Sequence, residues 1–304
     1  MKQLNILLAA VFLCTSVSAQ KDSTNTQKQH DTLRIGNMII IKKGNRSGDT
    51  GMVSKEDRKA NFERRQSKRI STNWWIVDLG FANYDDQTNY STANAGAITD
   101  PDRYLKPRPG YPDISKSDLK LKTGKSVNVN IWLFMQRINL VKKNINLKYG
   151  LGVELNNYRY KSTSLVSYKE AGVIPYSGGA ITNSPFIFRD SVFTFSKNKL
   201  AADYITVPVM LNFSTTPKYN KPTISLSVGV SAGYLYSQRN KQKSAERGKF
   251  KNKGDYDLEK FKFSYVAELG IGPVKLYGSY SPKSMYEHSL DIRPYNFGVR
   301  LSSW

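Results

Sequence analysis

From Trp74 onward, apolar and polar residues alternate with a period of two in segment after segment. The clearest runs from Ile145 to Leu155. There Ile145, Leu147, Tyr149, Leu151, Val153 and Leu155 take one face, and Asn146, Lys148, Gly150, Gly152 and Glu154 take the other. A helix would mix these two sets, whereas an extended strand separates them. The same alternation sets Trp75, Val77, Leu79 and Phe81 against Ile76, Asp78 and Gly80. It also sets Val127, Val129, Ile131, Leu133 and Met135 against Asn128, Asn130, Trp132 and Phe134. Further segments at Ile205–Phe213, Ile224–Tyr236, Phe261–Ile271, Val274–Tyr280 and Tyr295–Leu301 bring the predicted strands to eight.

The connections between these strands alternate strictly between long and short. About 40 residues join the first two strands, Val141 to Asn144 the next two, and about 40 the third and fourth; Gly272-Pro273 alone joins the sixth and seventh. That asymmetry predicts an all-β fold: a transmembrane antiparallel up-and-down β-barrel with short periplasmic turns and long outer loops. Aromatic positions sort accordingly. Tyr234, Tyr236, Phe263, Tyr265, Tyr280 and Tyr295 fall toward the long-loop ends, and Trp75, Phe213 and Trp304 toward the short-turn ends, as two interfacial girdles would require. Two positions strain the pattern: Trp304 is out of phase with Phe297, Val299 and Leu301, which calls for a bulge near Ser302, and Pro208 falls mid-strand, where one ladder bond must be lost. On this register an arginine at the outward Leu151 is costly, and a serine at the inward Gly152 is expected to be mild.

Composition narrows the reading. The 304 residues carry 46 Lys+Arg against 24 Asp+Glu, a formal charge of +22, and 39% are hydrophobic, enough to exclude a wholly disordered chain. Past the first 19 residues no apolar run is long enough for a transmembrane helix. Lys2, the apolar Ile6–Cys14 and the small-residue site Val17-Ser18-Ala19 predict a secretory signal peptide over 1–19. Leu13 before Cys14 argues against lipidation. Cleavage removes the only cysteine, so the exported chain is expected to carry no disulfide. Residues 20–73 are polar and basic, with one apolar run at Met38–Ile41 and a short helix expected between Ser54 and Ile70. They read as a partly flexible periplasmic segment preceding a barrel domain over 74–304.

With the strands placed, the chain resembles the outer-membrane β-barrel family common in Bacteroidetes that includes PorT-like proteins. The resemblance is carried by "INLVKKNINLKYGLGVELNNYRY" from Ile138, "YITVPVMLNF" from Tyr204, "GVSAGYLYSQRNKQ" from Gly229 and "ELGIGPVKLYGSYS" from Glu268. It implies an outer-membrane location and leaves activity open. It also raises the alternative of an accessory to a secretion or gliding apparatus.

An interior built from eight strands is narrow enough for side chains to fill. Its inward set, Asp78, Lys148, Glu154, Lys262, Glu268, Lys275 and Arg300, with Asn128, Asn130, Asn146, Asn156, Gln136 and Asn212, predicts a paired polar plug, with Arg300 near Asp78. Catalytic patterns are sparse. His288 stands beside Ser289 and Asp291 in the last outer loop, too close in sequence to orient as a triad, so no enzymatic role is expected. A lipid-modifying enzyme and a small porin remain alternatives. Zinc lacks its ligand set, and Asp85, Asp86, Asp100 and Asp102 lack EF-hand spacing, so no metal or cofactor is expected. Between Gln238 and Leu258 the residues Arg239, Lys241, Lys243, Arg247, Lys249, Lys251 and Lys253 form a basic outer loop. Its expected partner is anionic outer-membrane glycolipid, or an envelope protein. Nucleic acid is excluded for want of interleaved aromatics. The whole predicts a monomeric structural or binding component of the cell envelope, inserted by the barrel-assembly machinery.

Overall fold

The computed structural model describes residues 32–35, 38–41, 58–61, 68–141, 144–168, 172–190, 194–216 and 223–302. The chain divides into two units, Met1–Ser54 and Lys55–Trp304. In the first, β1 (Thr32–Ile35) and β2 (Met38–Ile41) form an antiparallel hairpin around the apolar run noted above. The expected signal peptide, Trp304 and most of the basic segment lie outside the described residues. Of the helix expected between Ser54 and Ile70, residues 58–61 are helical, and Ile70 already belongs to the first long strand.

The second unit is dominated by eight long strands: β3 (Ile70–Asp86), β5 (Val127–Val141), β6 (Ile145–Arg159), β11 (Phe195–Ser214), β12 (Ile224–Ser244), β14 (Phe261–Ile271), β15 (Val274–Tyr280) and β16 (Ile292–Leu301). They pair antiparallel in the order β11-β6-β5-β3-β16-β15-β14-β12, and β11 pairs again with β12 from Phe195↔Ser244 to Ser214↔Ser225. Each long strand therefore has a hydrogen-bonded neighbour on both edges. Alternation decides which face is buried. Trp75, Val77, Leu79 and Phe81 are exposed on β3, whereas Ile76 and Asp78 are buried, and β6 repeats the pattern along its whole length.

Besides shifts near strand ends at Phe195/Lys197 and Asn139/Val141, three irregularities re-phase the strands along their length. Trp75, at φ 55°, has no partner on β5, and the register of β5 against β6 shifts between Trp132 and Phe134. These bulges correct the single phase expected for β5. Met135 turns inward and is 1% exposed, while Gln136 leaves the inward set and bonds Thr72 and Tyr149. The third shift lies between Asp203 and Tyr204, where Tyr236 on β12 is left over. At Pro208 the pairing with β6 is interrupted over Val207 and Pro208 and continues with β12, as a residue without an N–H requires.

The long connections are folded rather than bare loops. They hold β4 (Leu105–Lys106), β7 (Leu165–Tyr168), β8 (Gly172–Val173), β9 (Ile181–Thr182), β10 (Phe186–Arg189) and β13 (Gly248–Lys253), with helical turns at Tyr90–Ala93 and Lys116–Leu119. Tyr104, Leu105, Ile114, Leu119, Leu165, Ile187, Tyr256, Leu258, Met285, Tyr286 and Leu290, drawn from all four long connections, pack with Tyr158, Leu200, Tyr204 and Leu235 of the strand ends into one apolar core. The lower part of the buried face carries charges instead.

Candidate functional site

The buried face of the strands carries Asp78, Lys148, Glu154, Lys262, Glu268, Lys275 and Arg300, all below 9% exposure. Arg300 on β16 grips Asp78 on β3 with a two-pronged fork, Nε to Oδ1 at 2.6 Å and Nη2 to Oδ2 at 2.7 Å. Asp78 Oδ2 also accepts from Trp132 Nε1 at 2.7 Å and Asn130 Nδ2 at 3.1 Å. The remaining guanidinium nitrogen Nη1 donates to Glu268, which in turn pairs with Lys148. A second group sits on Glu154, which pairs with Lys262 and accepts from Asn156 at 3.0 Å and Asn296 at 2.9 Å. Lys275 is buried on β15 opposite Arg300 and Gly270. Strands β6 and β14 are not neighbours, yet Lys148–Glu268 and Lys262–Glu154 both join them across the buried face.

Pairing is obligatory here, because an isolated ion in a low-dielectric interior is very costly. What remains between the two groups, bounded by Asn130, Trp132, Glu154, Met210, Glu268 and Arg300, is a void of about 40 Å³. That is room for roughly three waters. The inward glycines are part of this filling. A Cβ at Gly152 would lie 2.6 Å from the Ile131 carbonyl and 2.7 Å from the Trp132 ring, so the expectation that Gly152→Ser would be mild is corrected: the indole lies across that glycine.

Above the charges the apolar core closes the strand ends with aromatic contacts between different connections. Tyr104 stacks obliquely on Tyr286 at 5.4 Å and donates its hydroxyl to the Tyr256 carbonyl at 3.0 Å, while Tyr160 and Tyr286 share a hydroxyl contact at 3.3 Å. Burial pushes the Tyr160 hydroxyl up to about 12, so it stays neutral at physiological pH. Arg189 clamps Asp118 through two bonds at 2.9 and 2.8 Å, tying the second long connection to the first. Composition along the chain hides this core, since its members are scattered singly among polar residues.

His288, singled out in the sequence, meets Asp257 rather than Asp291. Its Nδ1 lies 2.6 Å from Asp257 Oδ1, its backbone N–H donates to Asp257 Oδ2 at 3.0 Å, and its Nε2 is 3.9 Å from Asp102. Asp291 instead pairs with Arg293, and the Ser289 hydroxyl donates to the Asp102 carbonyl and accepts from the Tyr104 N–H at 3.0 Å. That hydroxyl is turned to the backbone and away from the imidazole, so the three side chains do not form a nucleophilic triad. Asp257, Glu287 and His288 bring ligand-capable atoms within 4.8 Å of one another, a convergence that sequence spacing did not reveal. Asp85, Asp86, Asp100 and Asp102 do not gather: Asp85 accepts from Gln87, Asp86 from Tyr90 and Asp100 from the Asp102 N–H.

The Asp257 carboxylate raises the His288 imidazole above its ordinary value of 6.5. The raised value means that the imidazolium contact stabilises the loops while Asp257 is ionised and is lost as pH climbs through the raised His288 value; burial holds the Asp257 carboxyl up at about 6, so the contact also weakens as pH falls through that value. An NMR titration of the ring should give a midpoint above 6.5, moving down in Asp257→Asn; an unchanged midpoint in that variant would refute the assignment.

The seven basic residues expected in a loop lie mainly on strands, which corrects that expectation. Arg239, Lys241 and Lys243 belong to β12 and Lys249, Lys251 and Lys253 to β13, with Arg247 at the turn between them. The alternation R-N-K-Q-K and K-F-K-N-K carried this signal, because i, i+2 cations are what one face of a strand presents.

The exposed outer face of the strands is a band of Val, Leu, Ile and Phe edged by Tyr234, Tyr236, Phe263 and Tyr265 on one side and Trp75 and Phe213 on the other. An outer membrane protein beta-barrel domain matches residues 75–283. The chain belongs to this outer-membrane β-barrel family. It is an integral outer-membrane protein, and its exposed aliphatic band faces lipid. No curated protein and no solved structure matches it. No helix among the described residues is long and apolar enough to cross a membrane; in this family the strands do so.

Proposed function

We propose that this protein is a closed, eight-stranded, non-conducting outer-membrane barrel, exported by its signal peptide, that serves as a structural or binding component of the envelope and has no catalytic role. The observation that carries this reading is the filled interior. The ion pairs around Arg300 and Glu154 occupy the lower part, and the aromatic core of the four long connections covers the outer end. The pairing of β11 with β12 supports closure. On this reading the outer surface does the work, and its basic elements contact anionic glycolipid or an envelope partner. Purified full-length protein in planar bilayers should conduct negligibly. A stable, large, ohmic conductance would overturn the sealed-barrel reading and favour a porin.

A second reading, an accessory of a PorT-like secretion or gliding apparatus, draws on the segments from Ile138, Tyr204, Gly229 and Glu268 quoted above. Mild crosslinking in native membranes distinguishes it: a defined multiprotein envelope complex favours the accessory, and lipid alone favours the first reading.

A further inference from the structure

The outer half of β12 is flanked by β11 and β13, and β6 continues the sheet beyond β11. Their registers place cations directly opposite one another. Arg159, Lys199, Lys241 and Lys251 form one row across four strands, since Lys199 faces Arg159 and Lys241, and Lys241 faces Lys251. Lys197, Lys243 and Lys249 form a second row, and Arg239 faces Lys253 in a third. Strand-to-strand spacing puts neighbours within a row about 5 Å apart, and i, i+2 spacing puts rows about 7 Å apart. Opposed like charges destabilise a sheet. Within the strands this face has one carboxylate, Asp203, which Arg239 binds at 2.7 Å.

Parity fixes which side of the wall this is. On β11 the set Ile205, Val207, Val209 and Leu211 is exposed to lipid, and Lys199 and Lys197 continue the same odd-numbered set upward. On β12 the outward set Val230, Ala232, Tyr234 and Tyr236 gives way, across the extra residue at Tyr236, to Arg239, Lys241 and Lys243. The cations therefore stand on the lipid-facing side of the wall, immediately beyond the aromatic edge, where headgroups lie. The surface has a groove of about 540 Å³ lined by Arg159, Lys197, Lys241, Lys243, Lys249 and Lys251 among others. The array is electrostatically crowded, with Asp203 the one carboxylate among its strand residues.

We propose that this face is a lateral binding site for the phosphate-bearing headgroup of an outer-leaflet glycolipid, held by charge-assisted hydrogen bonds from the row Arg159–Lys199–Lys241–Lys251. The proposal deepens the envelope-binding reading above and rests on it. Continuity with the lipid-facing band selects a membrane-anchored anion over a soluble one. The groove is lined by one aromatic residue, Phe250, beside its lysines, which falls short of the succession of stacking platforms that nucleic-acid bases need. The residues that sequence reading missed are Arg159, Lys197 and Lys199, which only the register brings beside the β12–β13 hairpin.

The test uses the full chain folded into phosphatidylcholine nanodiscs doped with a bis-phosphorylated glucosamine-disaccharide lipid or its dephosphorylated form, with bound glycolipid counted by native mass spectrometry. The phosphorylated lipid should be retained selectively. Lys199→Gln with Lys241→Gln should weaken retention by about tenfold or more, since each removes a charge-assisted hydrogen bond to phosphate. Lys120→Gln with Lys125→Gln, the same charge change on the first connection, should leave it unchanged. Lys249→Gln with Lys251→Gln, on a strand outside the order of the eight, repeats the test if the first variant fails to fold. Equal loss in the Lys120/Lys125 control, retention of the dephosphorylated lipid, or binding of soluble polyphosphate without the glycolipid would overturn the proposal. Folding and conductance measured on the same preparation separate the two readings. A folded, non-conducting protein that ignores the glycolipid defeats only this site, and a conducting one defeats the sealed barrel.

Discussion

Replacing Arg300 by methionine is expected to destabilise the folded barrel by about 3 to 5 kcal/mol, the range for removing one partner from a buried ion pair. Arg300 serves two carboxylates, Asp78 through the fork and Glu268 through Nη1, and all three groups are 4% exposed or less. Glu268 retains Lys148 after the substitution, whereas Asp78 keeps only the neutral donors Trp132 and Asn130. Asp78→Asn should cost less, because Arg300 still has Glu268. The check is the urea midpoint of the protein folded into bilayers, read as heat-modifiable migration. A change below about 1 kcal/mol in Arg300→Met would mean that water reaches the interior and solvates the orphaned carboxylate.

Leu151→Arg should lower stability by about 2 to 4 kcal/mol, the midplane cost of a charge on a lipid-facing strand position. Leu151 lies on the outer face of β6, between the buried Gly150 and Gly152. Leu151→Ala should be much milder, since no charge is then placed in hydrocarbon. Gly152→Ala should also destabilise, by about 1 to 3 kcal/mol, through overpacking. The mechanism differs: the new methyl must displace the Ile131 carbonyl or the Trp132 indole. Combining Gly152→Ala with Trp132→Phe separates the two causes. Trp132→Phe should relieve the clash with the indole, losing the Trp132 bond to Asp78, while the clash with the Ile131 carbonyl stays, so the double variant should recover only part of the loss. Folding yields in which Leu151→Arg and Leu151→Ala are equal would show that this face does not meet lipid.

The alternation itself was written in the chain. Val77, Leu79 and Phe81 face out, and Asp78 faces in, because a strand turns successive side chains to opposite sides whatever it pairs with. The alternating apolar and polar residues of β6 were equally plain. The inward charges were legible for the same reason, as a set of residues on one face.

Which of those charges meet was decided by tertiary structure. Asp78 and Arg300 are 222 positions apart, and their fork exists because β16 lies beside β3. Glu268 reaches Lys148 across an interior between strands that are not neighbours. The bulges at Trp75, Leu133 and Tyr236 had no local signature, since a single extra residue leaves the period intact on either side, yet they decide that Met135 faces in, that Gln136 faces out, and that Lys241 continues the lipid-facing wall. The outer core was hidden because residues such as Tyr104, Leu165, Tyr256 and Tyr286 come from four connections, each too polar to announce a core of its own. Sequence by itself therefore determined the faces of each stretch between bulges, because facing is a property of consecutive residues. Partners, plug and cationic array were set by registers between distant segments, because contact across a sheet is a property of two strands at once.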